Sequence, residues 1–178
     1  MDRVVYENKT FKPLIYQHQL ENRIVELAKR IDLEYLNVAN IHFLIVLKGA
    51  FPFAAKLLSS LKTNYKYSFC TLSSYSGMQQ KDMQLVGDIP EFLEEENIII
   101  LEDIVDTGAT VDFLLNLTQI KQAKSCKIAS LLFKPKSFSG NFKPDYVGFD
   151  IENKFVIGFG LDINEQARDL DQIYQLAD

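Results

Sequence analysis

The sequence predicts an α/β fold in which a mostly parallel sheet is flanked by helices. Short apolar runs alternate with segments whose apolar residues recur at helical spacing, which is typical of parallel strands joined by crossover helices. Several of these runs are apolar throughout, as expected of strands that are buried on both faces. Hydrophobic residues make up 47% of the chain and charged residues 24%, as in ordinary globular proteins.

The first half of the chain supplies a helix, a strand, a helix and a strand. Apolar residues at helical spacing predict a helix over 19–31, and the apolar, β-branched residues 41–47 predict a central strand. Residues 51–61 predict a second helix and 66–73 a second strand. Residues 74–88 are polar and are expected to form a long loop, which in a compact domain is usually functional or disordered.

The second half continues the alternation. The expected elements are strands at 98–101, 127–133, 146–149 and 155–159 and a helix at 110–122. The tail from Asp162 to Asp178 is polar, with scattered apolar residues. Lys48, Asp103 and Lys134 each come just after a predicted strand. Because ligands bind outside the carboxyl ends of parallel strands, we expect these three residues around one crevice.

Residues 97–110, NIIILEDIVDTGAT, are the most informative stretch. An apolar strand leads directly into Glu102 and Asp103, and small residues then lead into a helix. Small residues at a strand-to-helix turn leave backbone N–H groups free to bind phosphate at the helix N-terminus. The two carboxylates lie where the hydroxyls of a sugar would be if its phosphate occupied the turn. The stretch therefore predicts a site for a phosphorylated sugar.

Composition argues against several other classes of protein. The net charge of −5 disfavours nucleic-acid binding, which usually needs a basic face. No apolar run approaches the roughly 20 residues that span a bilayer, and no apolar segment follows Met1 as in a signal peptide. Cys70 and Cys126 lie in apolar segments and are expected to be buried free thiols. We therefore expect a cytoplasmic protein without membrane or nucleic-acid partners.

Residues 101–110, LEDIVDTGAT, resemble the phosphoribosyl-pyrophosphate motif of type I phosphoribosyltransferases. Other motifs between about 41 and 170 narrow the resemblance to the hypoxanthine–guanine phosphoribosyltransferases. They are Leu47-Lys48-Gly49, Ser74-Tyr75, Lys134, Lys143-Pro144-Asp145, the segment 154–158, Leu161-Asp162 and Arg168-Asp169-Leu170.

The resemblance implies a fold and a reaction. The fold is a single phosphoribosyltransferase domain over 1–178, with a core at about 35–135 and a small hood formed by about 1–18 and 136–178. The reaction joins hypoxanthine or guanine to 5-phosphoribosyl 1-pyrophosphate, giving IMP or GMP plus pyrophosphate in purine salvage. Mg²⁺ is the implied cofactor, and the family commonly forms homodimers or homotetramers.

The resemblance also implies roles for the acids and for the turn. Glu102 and Asp103 hold the ribose hydroxyls directly or through Mg²⁺, and Asp106 exchanges the proton at N7 of the purine, as a general base or acid. The 5′-phosphate is assigned to Asp106, Thr107, Gly108, Ala109 and Thr110. Without the resemblance, the first two acids would suit a solvated turn and Asp106 a helix cap.

Pyrophosphate is assigned by resemblance to Lys48, Gly49 and Arg168, of which Arg168 is expected on a helix. The peptide between Leu47 and Lys48 can be cis in the family. Ser74 and Tyr75 match the start of a mobile lid that closes over the reacting centre and excludes water.

The purine is assigned by resemblance to Lys134, Phe155, Val156 and Asp162. Lys134 donates to O6 and so selects 6-oxopurines over adenine, whose amino group would present a donor to a donor. Phe155 stacks on the base, and Val156 reads its edge through backbone groups. Asp162 also binds a second Mg²⁺, which makes Glu102, Asp103 and Asp162 the expected metal ligands.

Two alternatives remain open. A phosphoribosyltransferase for another base (xanthine, adenine, orotate or uracil) would share the central motif, although Lys134 and Phe155-Val156 favour 6-oxopurines. A non-catalytic regulator that binds nucleic acid could use the same fold, but the presence of Asp106 and the absence of a basic stripe favour an enzyme.

Overall fold

The computed structural model describes residues 3–75, 82–86, 94–120 and 122–177. In chain order the elements are β1 (Val4–Tyr6), β2 (Lys9–Ile15), α1 (Gln17–Glu34), β3 (Ile41–Leu47), α2 (Phe51–Ser60), β4 (Lys66–Tyr75), β5 (Asp82–Val86), β6 (Asn97–Val105), α3 (Ala109–Ile120), β7 (Ser125–Phe133), β8 (Tyr146–Asp150), β9 (Val156–Ile157) and β10 (Ile173–Leu176). No helix within these ranges has the length and apolar character needed to cross a membrane.

The larger sheet has six strands in the order β5-β4-β3-β6-β7-β8. All neighbouring pairs are parallel except β4 with β5. The predicted α/β class and the central position of β3 are therefore confirmed. The strands β3 and β6 are almost entirely buried, as their uninterrupted apolar sequences require.

Helices cover both faces of this sheet. Successive residues of a strand point to opposite faces, so Phe43 and Ile45 pack against α1 and α2. Leu44 and Val46 pack instead with Leu114 of α3. The predicted amphipathic helix buries its apolar stripe, Leu20, Ile24, Leu27 and Ile31, on the first of these faces. Because these strands are parallel, their carboxyl ends lie at one edge of the sheet, between the two helical layers.

A second, smaller sheet joins the two ends of the chain in the order β1-β2-β10-β9, with antiparallel pairing. It lies in the segments predicted for the hood, about 1–18 and 136–178. The second of these ranges also includes β8, which pairs with β7 in the larger sheet. The strands β1, β2 and β10 were not predicted individually.

Two predicted boundaries near the site were wrong. The strand predicted over 98–101 continues as β6 to Val105, because Glu102, Ile104 and Val105 all pair with β7. Asp103 therefore lies within the strand rather than after it. The strand predicted over 155–159 is reduced to β9, since Gly158 (φ +97°) and Gly160 (φ +101°) turn the chain sharply.

The predicted loop over 74–88 is partly a hairpin. The strand β4 extends to Tyr75, and β5 returns antiparallel to it, with Tyr75 opposite Asp82. The sequence pattern missed β5 because its pairing, rather than its polar composition, defines it. The predicted lid falls largely on residues 76–81 and 87–93, which lie outside the described residues.

Candidate active site

The candidate site lies where β3, β6 and β7 end. Ile45 is level with Leu101, and Val105 is level with Phe133, so the segments that follow these strands meet at one edge of the sheet. Lys48 follows β3 directly and Lys134 follows β7. The segments after β3, β6 and β7 therefore lie along the edge expected from strand order, with Asp103 contributed from inside β6.

Gly49 packs directly against Asp103. A Cβ atom on Gly49 would lie 1.7 Å from Oδ2 of Asp103, so only glycine fits here beside that carboxylate. A Cβ atom on Gly160 would lie 2.0 Å from the carbonyl oxygen of Gly49. The peptide between Leu47 and Lys48 is cis. Three distant segments thus meet around one carboxylate, and sequence reasoning missed Gly160 among them.

Glu102 and Asp103 are close in sequence but face opposite sides of the strand. Burial, with a smaller contribution from the Asp103 carboxylate, raises the pKa of Glu102 well above its ordinary value. Burial also raises the pKa of Asp103 to about 6, against the hydrogen bond that the Ile104 N–H donates to Oδ1 at 2.8 Å. The Asp162 carboxylate adds a smaller upward contribution to the pKa of Asp103. The Arg168 guanidinium opposes these effects at Asp103, but burial outweighs it. The charged forms of both acids are therefore costly in the free protein, and a bound cation would offset that cost.

Arg168 organises the opposite wall of the crevice. Its Nη2 lies 2.7 Å from Oδ1 of Asp162, and its Nη1 donates to the carbonyl oxygen of Gly160 at 2.7 Å. Its Nε is buried and has no hydrogen-bond partner within the described part of the chain. Arg168 lies in an irregular segment rather than on the expected helix, because backbone hydrogen bonds between neighbouring turns hold that segment in place.

Glu165 links Arg168 to Lys48 through ion pairs, and sequence reasoning did not identify it. Its Oε2 lies 2.8 Å from Nζ of Lys48 and 3.6 Å from Nη2 of Arg168. The hydrogen bond from Lys48 is the main cause of the lowered pKa of Glu165. Both predicted pyrophosphate-binding cations therefore share one carboxylate. A cavity of about 450 Å³ beside them is lined by Lys48, Arg168 and Gly160, among others.

The turn after β6 surrounds a small cavity of about 90 Å³, lined by Glu102 and residues 104–111. Gly108 adopts φ +94°, a conformation that other residues rarely take, and α3 starts at the next residue. The Asp112 N–H donates to the Gly108 carbonyl as the helix begins. The Ala109 N–H donates to Oγ1 of Thr107 in a long contact of 3.4 Å. The N–H groups of the first helical turn and the helix dipole favour an anion here.

Asp106 and Lys134 are brought together from the ends of β6 and β7. Nζ of Lys134 donates to Oδ2 of Asp106 at 2.7 Å. Lys134 is buried, whereas the Asp106 side chain is 43% exposed. A buried ammonium needs a nearby anion. The pair therefore places a carboxylate and a cation side by side where the turn after β6 begins.

Phe155 and Val156, predicted to bind the purine, lie at the start of β9. Phe155 is 47% exposed, and its ring contacts Phe11 with centroids 6.2 Å apart. Val156 begins β9 and is buried. No ring or hydrogen-bond contact joins either residue to Lys134 within the ranges that the structure covers. Ser74 and Tyr75 end β4, next to the six residues 76–81 that are not described.

Comparison with known proteins identifies the family. Residues 14–164 match the phosphoribosyl transferase domain. The hypoxanthine-guanine phosphoribosyltransferase of Bacillus subtilis is 35% identical over 164 residues, which cover 91% of each chain. A crystal structure of a hypoxanthine-guanine phosphoribosyltransferase from Bacillus anthracis superposes with a TM-score of 0.88 at 33% identity, over 93% of this chain and 98% of the other.

The hypoxanthine phosphoribosyltransferase of Trypanosoma cruzi, solved in complex with the product IMP, superposes equally well. Its TM-score is 0.88 at 32% identity, over 98% of this chain and 97% of that one. The residues that match the family model include the strand-to-helix turn and the ends of all three site strands. The chain belongs to the phosphoribosyl transferase family.

Proposed function

We propose that the protein is a hypoxanthine–guanine phosphoribosyltransferase of purine salvage. It transfers the 5-phosphoribosyl group of 5-phosphoribosyl 1-pyrophosphate to hypoxanthine or guanine and releases pyrophosphate. The relatives of known structure that superpose over almost the full chain carry this activity in their names, and one holds IMP. The protein is an enzyme, a glycosyltransferase acting on a pentosyl group.

The Asp106–Lys134 pair is the observation that carries this proposal. O6 and N7 are neighbouring positions on one edge of a 6-oxopurine. A lysine ammonium and a carboxylate 2.7 Å apart match that edge, with Lys134 donating to O6 and Asp106 accepting the N7 proton. The 6-amino group of adenine would face Lys134 donor to donor. The pair therefore supports both the acid–base role of Asp106 and the preference for 6-oxopurines.

The 5′-phosphate and the 1-pyrophosphate of the sugar donor are assigned to the parts of the site around this pair. Residues 106–110 hold the 5′-phosphate with backbone N–H groups and hydroxyls at the start of α3. Lys48, Gly49 and Arg168 receive the pyrophosphate, and Phe155, Val156 and Asp162 complete the purine side. Positive charge develops on the ribose in a loose transition state, so a lid beginning at Ser74 and Tyr75 protects it from water.

Glu102, Asp103 and Asp162 fit Mg²⁺ only if oxygen atoms of the substrate complete its coordination. Within the described residues, no group of three or more His, Cys, Asp or Glu side chains forms a cation cage. Asp162 lies close enough to Asp103 to raise its pKa, whereas Glu102 points to the opposite face of β6. Mg²⁺ commonly uses one or two carboxylates plus substrate phosphates, which suits Asp103 and Asp162 here, with Glu102 facing the ribose side. When bound, it neutralises the diphosphate and stabilises its departure.

The remaining parts of the proposal concern the protein's setting. We place the enzyme in the cytoplasm, where its phosphorylated substrates occur, as a homodimer or homotetramer without nucleic-acid or membrane partners. Two free cysteines support a reducing compartment.

A panel of free bases tests the proposed activity. The purified protein is incubated with 5-phosphoribosyl 1-pyrophosphate, Mg²⁺ and hypoxanthine, guanine, xanthine, adenine, orotate or uracil. We expect product with hypoxanthine and guanine. Activity with adenine or orotate alone would overturn the 6-oxopurine assignment. Absence of turnover together with salt-dependent RNA or DNA binding would support the regulator instead.

Asp106→Asn tests the proton-transfer role. The variant is expected to lose roughly 100- to 10,000-fold in kcat, the range that general acid–base catalysis contributes. Its affinity for the sugar donor should be largely kept, because backbone groups dominate the phosphate turn. Asp112→Asn, on the first turn of α3, is the matched control and should keep wild-type turnover. Unchanged turnover in Asp106→Asn would remove this residue from the mechanism.

A further inference from the structure

Phe138 packs against the turn formed by residues 106–110, the proposed phosphate turn. A Cβ atom on Gly108 would lie 2.6 Å from Cε2 and 3.2 Å from Cδ2 of Phe138, so the ring rests against the glycine Cα. The ring is held edge-to-face by Phe133 and Phe142, with centroids 5.3 and 5.1 Å away. The Phe138 ring therefore restricts the position of Gly108, and Phe133 and Phe142 in turn restrict the ring.

Backbone hydrogen bonds from the same segment brace both sides of Asp106. The Lys134 N–H donates to the carbonyl oxygen of Val105 at 3.0 Å, and the Ser139 N–H donates to that of Thr107 at 3.2 Å. The Phe138 N–H donates in turn to the Lys134 carbonyl at 3.2 Å. The turn that carries Phe138 therefore spans from the purine-facing lysine to the far side of the phosphate turn.

Phe138 also belongs to the apolar cluster that supports the turn. The cluster centres on Val105, Val111 and Ile128, the first two of which flank the phosphate turn in sequence. Removing the ring would leave space under Gly108, which already has the widest backbone freedom of any residue type. A turn that must present several N–H groups at once to one phosphate loses affinity when any of them moves.

We propose that Phe138 is a positioning residue for 5′-phosphate recognition. Its ring fixes Gly108 so that the N–H groups of residues 107–110 converge on the phosphate, and its backbone links that turn to Lys134. Phe138 does not touch substrate. The inference rests on the proposed function, because it assigns the phosphate of the sugar donor and of the nucleotide product to this turn.

Binding of IMP compared with inosine separates this role from general stability. The two ligands differ only in the 5′-phosphate, so their affinity ratio reports the turn. In Phe138→Ala we expect IMP affinity to fall about 10- to 100-fold, as for a misplacement of about 1 Å, while inosine affinity changes little. The steady-state KM for 5-phosphoribosyl 1-pyrophosphate should rise more than kcat falls. Calorimetric titration and initial rates measure these quantities.

Two variants sharpen the test. Ile128→Ala removes a buried side chain of the same cluster that does not flank the turn in sequence, so it should lose comparable packing and keep the IMP-to-inosine ratio. Phe138→Leu keeps δ carbons beside Gly108 and should recover most of the IMP affinity. Equal loss of IMP and inosine affinity in Phe138→Ala, or an equal effect of Ile128→Ala, would overturn the proposal.

Failure of the proposed function gives a different result. If the wild-type protein transfers no phosphoribosyl group and binds no IMP, the proposed function fails. Ribose 5-phosphate then probes the turn alone. If it binds the wild-type protein and Phe138→Ala reduces that binding, the positioning role stands without the purine activity. If it binds neither protein, or both equally, the positioning role fails as well.

Discussion

Replacing Asp103 by Asn is expected to stabilise the free protein while impairing its use of the sugar donor. Burial raises the pKa of Asp103 from 3.8 to about 6. Each pKa unit corresponds to about 1.4 kcal/mol, so ionising this carboxyl in the folded protein costs up to about 3 kcal/mol of unfolding free energy. Asn has nearly the same shape and still accepts the Ile104 N–H bond, but it carries no charge to bury.

The sign of the pH dependence follows from the direction of this shift. The folded-state pKa is above the unfolded value, so the contribution of Asp103 to stability is fully present below about pH 4 and is lost as the pH rises through about 6. The variant lacks this titration. The difference in unfolding free energy between Asp103→Asn and wild type should therefore be small near pH 4 and reach at most about 3 kcal/mol at pH 8.

Urea unfolding at pH 4.5, 6 and 8 measures this difference. Asp32→Asn is the control, because the Asp32 carboxylate is also partly exposed and accepts backbone N–H groups, from Lys62 and Thr63. It should show no stability gain at pH 8. Addition of Mg²⁺ with 5-phosphoribosyl 1-pyrophosphate should raise the unfolding midpoint of wild type and raise that of Asp103→Asn much less. A variant that is less stable than wild type at pH 8, or equally shifted at every pH, would refute the reasoning.

Two further substitutions test the pyrophosphate side. Gly49→Ala would push a Cβ into Oδ2 of Asp103, so the KM for the sugar donor should rise about 100-fold. The variant and the wild-type protein should bind free hypoxanthine with equal affinity in calorimetry. An unchanged KM would show that the contact is dispensable. Glu165→Gln releases Lys48 from an exposed ion pair, so the KM for pyrophosphate in the reverse reaction should fall roughly two- to fivefold without a change in thermal unfolding. Glu152→Gln, at an exposed acid elsewhere, is its control, and a rise in KM would contradict the competition between Glu165 and pyrophosphate.

The sequence was sufficient for the central strands of the larger sheet, because β3 and β6 are buried on both faces. Residues 41–47 read as a strand with no knowledge of their neighbours, since an uninterrupted apolar run has few other places in a soluble fold. The turn between β6 and α3 was predictable for a similar reason, because small residues between a strand and a helix are typical of such turns. Its role in binding phosphate stays a prediction. These features are encoded within a few consecutive residues.

The features that were missed depend on contacts between distant segments. The strand β2 contains Pro13 and mixed polarity, and it is defined by pairing with β10, about 160 residues away in the chain. Glu165 reaches Lys48 only because Asn164, Glu165 and Ala167 adopt positive φ values, which their residue types do not announce. Phe138 read as an ordinary apolar residue in a loop, and only its position under Gly108 distinguishes it.

The charges of the site are arranged for a ligand rather than for the stability of the free protein. Burial raises the pKa of Glu102 and Asp103, Arg168 leaves a buried Nε without a partner in the described structure, and Lys48 is paired with an exposed carboxylate that a diphosphate can replace. Buried polar groups without partners usually destabilise a fold and persist where they serve a ligand. In the proposed complex, the sugar donor and Mg²⁺ would supply charges of both signs, anionic oxygens for Lys48 and Arg168 and a cation for the acids. The same groups that limit the stability of the free enzyme should therefore provide much of its stabilisation on binding.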